Sequence, residues 1–337
     1  MRKLIALPAA LVLFGLLPFA PRLAAAATGY HILNEIMIGG EGGWDYLAVD
    51  STARRLYVSH ATHVVVVDID TNKVVGDIPD TPGVHGIAIA RDLGKGFISN
   101  GRGNNVTIFD LKTAKATGTV ATEMNPDAIT YDPVSKRVIA FNGRSRSASV
   151  IDAKTGAAVA TIALGGKPEF GAADGKGKIY DNLEDTSEIV EIDVAKASVV
   201  KKYPLTGCEG PSGLAMDTKA RRLFSVCGNR VMAVSDPDKG TVIATPAIGA
   251  GPDGVVFDPG PGYAMSSNGD GTLTIVQQMG GKYDVVENIA TQRGARTIAV
   301  DEKTHRVYLP TAVQGQATGG GRAPYLPDSF KVLVVGK

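Results

Sequence analysis

Outside an apolar N-terminal stretch, hydrophobic and polar positions follow each other in short β-rich runs separated by turn residues, and helical periodicity is absent. The runs LAVD, RRLYVSH, VVVVDID and KVVGDI make up one unit of four predicted strands. The unit then recurs. Segments that read small-apolar, then a turn, then Arg or Lys place equivalent positions at Asp50, Ala90, Asp132, Asp174, Asp217, Asp258 and Asp301, with gaps of 40, 42, 42, 43, 41 and 43 residues. A second landmark, apolar then Asp, keeps the same period at Val67-Asp68, Phe109-Asp110, Ile151-Asp152 and Ile192-Asp193, with degenerate copies at Val234-Ser235 and Val276-Gln277. Four strands in about 42 residues is the dimension of a propeller blade, so seven copies predict an all-β, seven-bladed β-propeller. The last copy has only three strands before the chain reaches KVLVVGK, and HILNEIMI, residues His31–Ile38, is expected to supply the fourth and close the ring.

Most of the repeated polar residues need only turn chemistry. An Asp where the first strand turns into the second, or the third into the fourth, can accept hydrogen bonds from the backbone two residues on. The runs LYVSH, GFISN, VVVVDIDTNKVV and SVIDAKTGAAVATI resemble the YVTN-type repeats of exported bacterial YncE-like propellers, over essentially the whole chain after the leader. The resemblance implies the fold and leaves the chemistry open: related propellers include lactonases, lyases, quinoprotein subunits and plain binding scaffolds.

Arg2 and Lys3, the apolar run from Leu4 to Ala20 and the small residues Ala24 to Ala27 read as a signal peptide over residues 1–27, with the propeller over residues 28–337. The expected product is a periplasmic or secreted monomer with no membrane span after cleavage. Removing Arg2, Lys3 and Arg22 from 35 basic residues against 34 acidic ones leaves a net charge of about −2, which gives no footprint for nucleic acid. Of the two cysteines, Cys208 and Cys227, an oxidising compartment favours a disulfide that pins the PLTGCEGP loop, the alternative being a free thiol ligand.

In a blade the start of the first strand and the end of the second meet at one channel mouth. Five residues before each landmark stand Asp45, His85, Asp127, Glu169, Ser212, Asp253 and Arg296; ten residues after it stand His60, Asn100, Asn142, Glu184, Cys227, Asn268 and Thr311. A wet channel mouth explains polarity but not five carboxylates, two histidines and an arginine, which are costly to crowd together unless a cation or ligand compensates them. Blade order suggests two metal sectors. Asp45, His60 and His85, with His63 as a further donor, would suit a transition metal; Asp127, Glu169 and Glu184, with Asn100 and Asn142, would suit calcium or magnesium. Asp253, Asn268 and Arg296 are further ligand-binding candidates.

One long insertion, residues 312–328, leaves the seventh blade at this mouth and is expected to act as a lid or binding loop that offers Arg322 and Tyr325, unless it is disordered. Trp44 would form an apolar wall or pack beneath the N-terminal strand. The leading expectation is a small ligand bound through a divalent cation of unspecified identity. If the protein is an enzyme, metal-assisted lactone hydrolysis or elimination fits, with His85 or Glu169 as base and Arg296 at the oxyanion. The rival readings are a docking platform for a protein or cell-wall component and, third, a redox subunit. No Gly-x-Ser-x-Gly or Cys-x-x-Cys-His motif occurs, which disfavours covalent acyl chemistry and attached haem.

Overall fold

Twenty-eight strands pair into seven antiparallel sheets of four in a computed structural model that describes Met1, residues 28–316 and residues 324–337. The leader and Arg322 lie outside the described residues. Blade one runs through Leu47–Asp50, Arg55–His60, His63–Asp68 and Lys73–Ile78, and each later blade repeats that order from channel to rim. Blade seven is composite: Ala299–Asp301, Arg306–Thr311 and Lys331–Gly336 are completed by His31–Met37, which pairs antiparallel with the last strand from His31↔Gly336 to Met37↔Lys331. The chain is thus a closed seven-bladed β-propeller in which the composite blade has its full four strands like the others.

The third strand of each blade, such as Val64 to Val67, is buried on both faces, so it reads as a continuous apolar run rather than an alternation. Side chains from neighbouring blades interdigitate into apolar clusters between sheets; Ile139, Phe141 and Val150 of blade three meet Ile179, Val190 and Ile192 of blade four. A register shift between the third and fourth strands recurs in all seven blades, as at Val66/Val67, Ile108/Phe109, Val150/Ile151 and Ile32/Asn34, which adds twist at the rim.

At the turn end of the strands the landmark aspartates hold the backbone. Asp50 Oδ1 accepts the N–H of Thr52 at 3.0 Å and of Ala53 at 2.9 Å, and Asp217 Oδ1 accepts those of Lys219 and Ala220 at 2.9 Å. At the opposite end the segments crossing between blades converge on the channel mouth. Cys208, in the crossing before blade five, is joined to Cys227 at the end of that blade's second strand. Among the described residues no helix is long and apolar enough to cross a membrane.

Candidate site at the channel mouth

The first strands deliver one side chain per blade to the mouth, and three of them converge. Asp45 is fixed at both ends of its backbone: its N–H donates to Ser59 Oγ at 2.8 Å, and its carbonyl accepts Thr297 Oγ1 of blade seven at 2.7 Å. His85 Nδ1 lies 2.6 Å from Asp45 Oδ2 and 3.6 Å from Asp127 Oδ1. One ligand atom from each of Asp45, His85 and Asp127 falls within 4.8 Å of the other two, so this trio could hold a metal ion. Gly101 makes room for the ring: a Cβ there would stand 2.6 Å from His85 Nε2.

The rest of the inner ring is paired off. Arg296 Nε meets Asp253 Oδ2 at 3.0 Å. Lys167 Nζ donates to Glu169 Oε1 at 2.6 Å and also to Glu184, so an ammonium sits where the sequence suggested an all-oxygen metal sector. Ser212 Oγ donates to the carbonyl of Pro252 at 3.2 Å. Asp127 belongs with His85 rather than with the two glutamates.

The second ring differs more. Blade four reaches its second strand with a turn one residue shorter than the others, since Asp174 is followed by Lys178 where Asp50 is followed by Arg55. Leu183, not Glu184, therefore stands opposite Pro168 as Asn142 stands opposite Pro126, and Glu184 falls in the following turn. Asn100, Asn142 and Asn268 are fully buried and act within their own blades: their amides donate to Thr107 at 2.8 Å, Ser149 at 3.0 Å and Thr274 at 3.0 Å. His60 does not reach the cluster of Asp45 and His85. It lies beneath Gly40, stacks on Phe330 with ring centres 4.4 Å apart, and among the described residues neither ring nitrogen has a hydrogen-bond partner. Burial, and to a lesser degree His63, lowers its pKa to about 4, so it stays neutral. His63 is instead beside Asp77, at 3.7 Å.

Trp44 packs between Phe330 and Tyr325, at 5.1 and 4.5 Å between ring centres, under the root of the insertion. Tyr325 lines an adjoining pocket, of about 470 Å³, along the Gly40 to Gly43 joint, which shares Gly42 and Gly43 with the cavity at the mouth.

Two features of the mouth escape a count of ring positions. Tyr46 follows Asp45 and is buried; its ring meets Phe170 of blade four at 4.9 Å, which requires the pair to reach across the channel and floor the mouth. The signal was present, because the position after the ring residue is Gly86, Ala128, Gly213, Gly254 or Thr297 in the other blades. Lys167 gave no such signal, lying in a crossing loop before the strand.

Electrostatically the centre of the mouth holds more negative charge than its own cations settle. Burial, then the charge of Asp45, pushes the Asp127 carboxyl above the usual range against the pull of His85; burial and Asp45 do the same to Asp253 against Arg296. Burial followed by Asp127 raises Glu169 in spite of Lys167. Burial would lower His85, but the hydrogen bond to Asp45 and the fields of Asp127, Asp45 and Glu169 outweigh it and lift the imidazolium to about 9. Above the trio opens a cavity of about 480 Å³, whose walls include Trp44, His85, Arg102, Arg144 and Arg296.

No known family profile matches the chain, and neither does any curated protein sequence. Among solved structures 1786 chains match, a fold too widely shared to select a chemistry. One of them, described as the structure of U3-55K, a WD40 β-propeller, superposes with a TM-score of 0.74 over 90% of this chain and 98% of that one, at 11% identity. The likeness establishes the β-propeller fold and nothing further.

Proposed function

We propose that this propeller is an exported, YVTN-type ligand-binding protein whose channel mouth takes one divalent cation on Asp45, His85 and Asp127 and binds a small ligand beside it. The observation that carries the reading is the convergence of those three donors within 4.8 Å from three different blades. Strands carry His85 and Asp127, and hydrogen bonds to its backbone fix Asp45 just before its strand, so little ordering cost remains when an ion enters. Two carboxylates and an imidazole match zinc, manganese or iron better than calcium, which prefers oxygen alone. Asp127, held above the usual carboxylate range by burial and then by the charge of Asp45, marks a place where a cation would improve the charge balance. Export is supported by the leader-like N-terminus and agrees with the Cys208–Cys227 disulfide.

The test is the metal content of the gently purified protein by elemental mass spectrometry, with the melting temperature followed before and after chelation. One ion per chain is expected, with a fall in melting temperature on its removal and loss of the ion in His85→Ala and in Asp45→Asn. A protein that holds no ion, and whose melting temperature no added cation raises, overturns the reading.

A further inference from the structure

The turn after the second strand of each blade does the same structural work in blades four, five and six. Its second residue, Asp185, Asn229 or Asp270, accepts the N–H of the crossing segment entering that blade, from Lys167 at 2.7 Å, Glu209 at 3.1 Å and Ala250 at 2.6 Å. Blades two and three put an arginine at that place. In blade three the capping moves one residue on, to Ser145, whose Oγ accepts the N–H of Met124 at 2.8 Å, and Arg144 is released. In blade two the crossing is tied to backbone instead, Gly83 N–H donating to the carbonyl of Ala61 at 3.1 Å. There the stem of Arg102 lies across Gly83, which has φ +67° and where a Cβ would stand 2.6 Å from Arg102 Cγ.

Neither Arg102 nor Arg144 is joined to an acid among the described residues, and both line the cavity above Asp45 and His85. Arg296, on the same wall, uses its Nε on Asp253. Blades two and three are also the blades that carry His85 and Asp127. Two guanidiniums with no acid partner among the described residues therefore line the cavity over the sector that holds the candidate cation site. Guanidiniums bind carboxylates and phosphates through two parallel hydrogen bonds, and a volume of about 480 Å³ suits a small molecule rather than a chain.

We infer that the ligand of this mouth is a small organic polyanion, such as a dicarboxylate or a phosphorylated acid. One oxyanion group lies against the cation held by Asp45, His85 and Asp127, and the other is clamped by Arg102 and Arg144. The inference rests on the proposed cation site for the first contact and on the arginines alone for the second. Without a cation the acidic floor would repel such a ligand, so ion and anion are expected to bind cooperatively.

Succinate and 3-phosphoglycerate are the probes, titrated calorimetrically into the full chain with and without manganese, alongside manganese titrations of the same proteins. The wild type should bind at least one probe, more tightly with manganese. Each of Arg102→Gln and Arg144→Gln should weaken that binding roughly tenfold or more while manganese affinity changes little. Both side chains are exposed, so unaltered melting temperatures are expected for the variants. Manganese binding with no binding of either probe, or probe affinity unchanged in the double variant, overturns the inference. Arginine-dependent binding of a probe by a protein that takes up no manganese would uphold the anion site and remove the cation reading beneath it.

Discussion

The two ends of the same strands treat carboxylates in opposite ways. At the turn end every buried landmark acid has its partners. Asp301 accepts Thr304 and Arg54, each at 2.6 Å; Asp258 faces His305 Nδ1 at 3.0 Å; Asp50 meets Arg91 at 2.9 Å. Burial works against the Asp301 anion, yet hydrogen bonds from Thr304, Ser51 and Arg54 outweigh it and hold its pKa below the usual range. At the mouth, burial and then the charge of Asp45 hold Asp127 and Asp253 above the usual range, against the pull of His85 and Arg296. A fold that satisfies six landmark carboxylates at one end leaves those at the other in tension, which the proposed cation would relieve.

The largest effect should come from breaking the turn end. Arg54→Met leaves Asp301, whose side chain is wholly buried, without its cation and should cost about 3–5 kcal/mol of stability, read from urea unfolding. Next comes His60. The folded protein keeps it neutral down to about pH 4, whereas the unfolded chain protonates it near 6.5, so the unfolded state binds the extra proton in between. Stability should therefore fall as pH drops from about 6.5 to about 4, by at most about 3 kcal/mol, and level off below. The raised mouth acids slope the other way, so the measurement is the difference from His60→Asn, which cannot titrate.

Asp181 is a third case. It is fully buried on the second strand of blade four, where blade one has Val58, and among the described residues no side chain partners its carboxyl; burial, then the charge of Glu169, raises its pKa well above the usual range. Asp181→Val should stabilise the protein by about 1–3 kcal/mol in thermal or urea unfolding. Smallest is Asp127→Asn, which relieves repulsion at the mouth. In chelator-treated protein it should be neutral or stabilising by about 1 kcal/mol, in contrast to any loss at the turn end; a loss of several kcal/mol would make the trio a structural ion pair instead.

The blades and their composite closure were legible because one period governs both strand landmarks, and the disulfide because both cysteines end at one mouth. The inner ring was legible in part. Asp45, His85 and Asp127 stand at equivalent strand positions that a count can find, but that Asp127 turns to His85 and not to Glu169 depends on Lys167, a loop residue outside the count. Glu184 was misplaced by one residue because the Asp174 turn is short, and in a strand one residue reverses the face. His60 was misread because its surroundings, Gly40 and Phe330, come from chain segments nearly three hundred residues apart. Arg102 and Arg144 lie beyond the strand ends, where counting from strand landmarks stops.

The composite blade also sets the order in which the protein can be finished. Its outer strand, His31–Met37, is made first, and the strand it pairs with, Lys331–Gly336, is made last. Until that partner emerges, the growing chain is an open arc with a waiting β-edge at each end, the form most exposed to pairing with the wrong molecule. Closing the circle joins strands of very long sequence separation, the first with the last and blade one with blade seven, a slow step on topological grounds. The clasp that completes the seventh blade of the native ring is thus also the point at which folding is most open to interception.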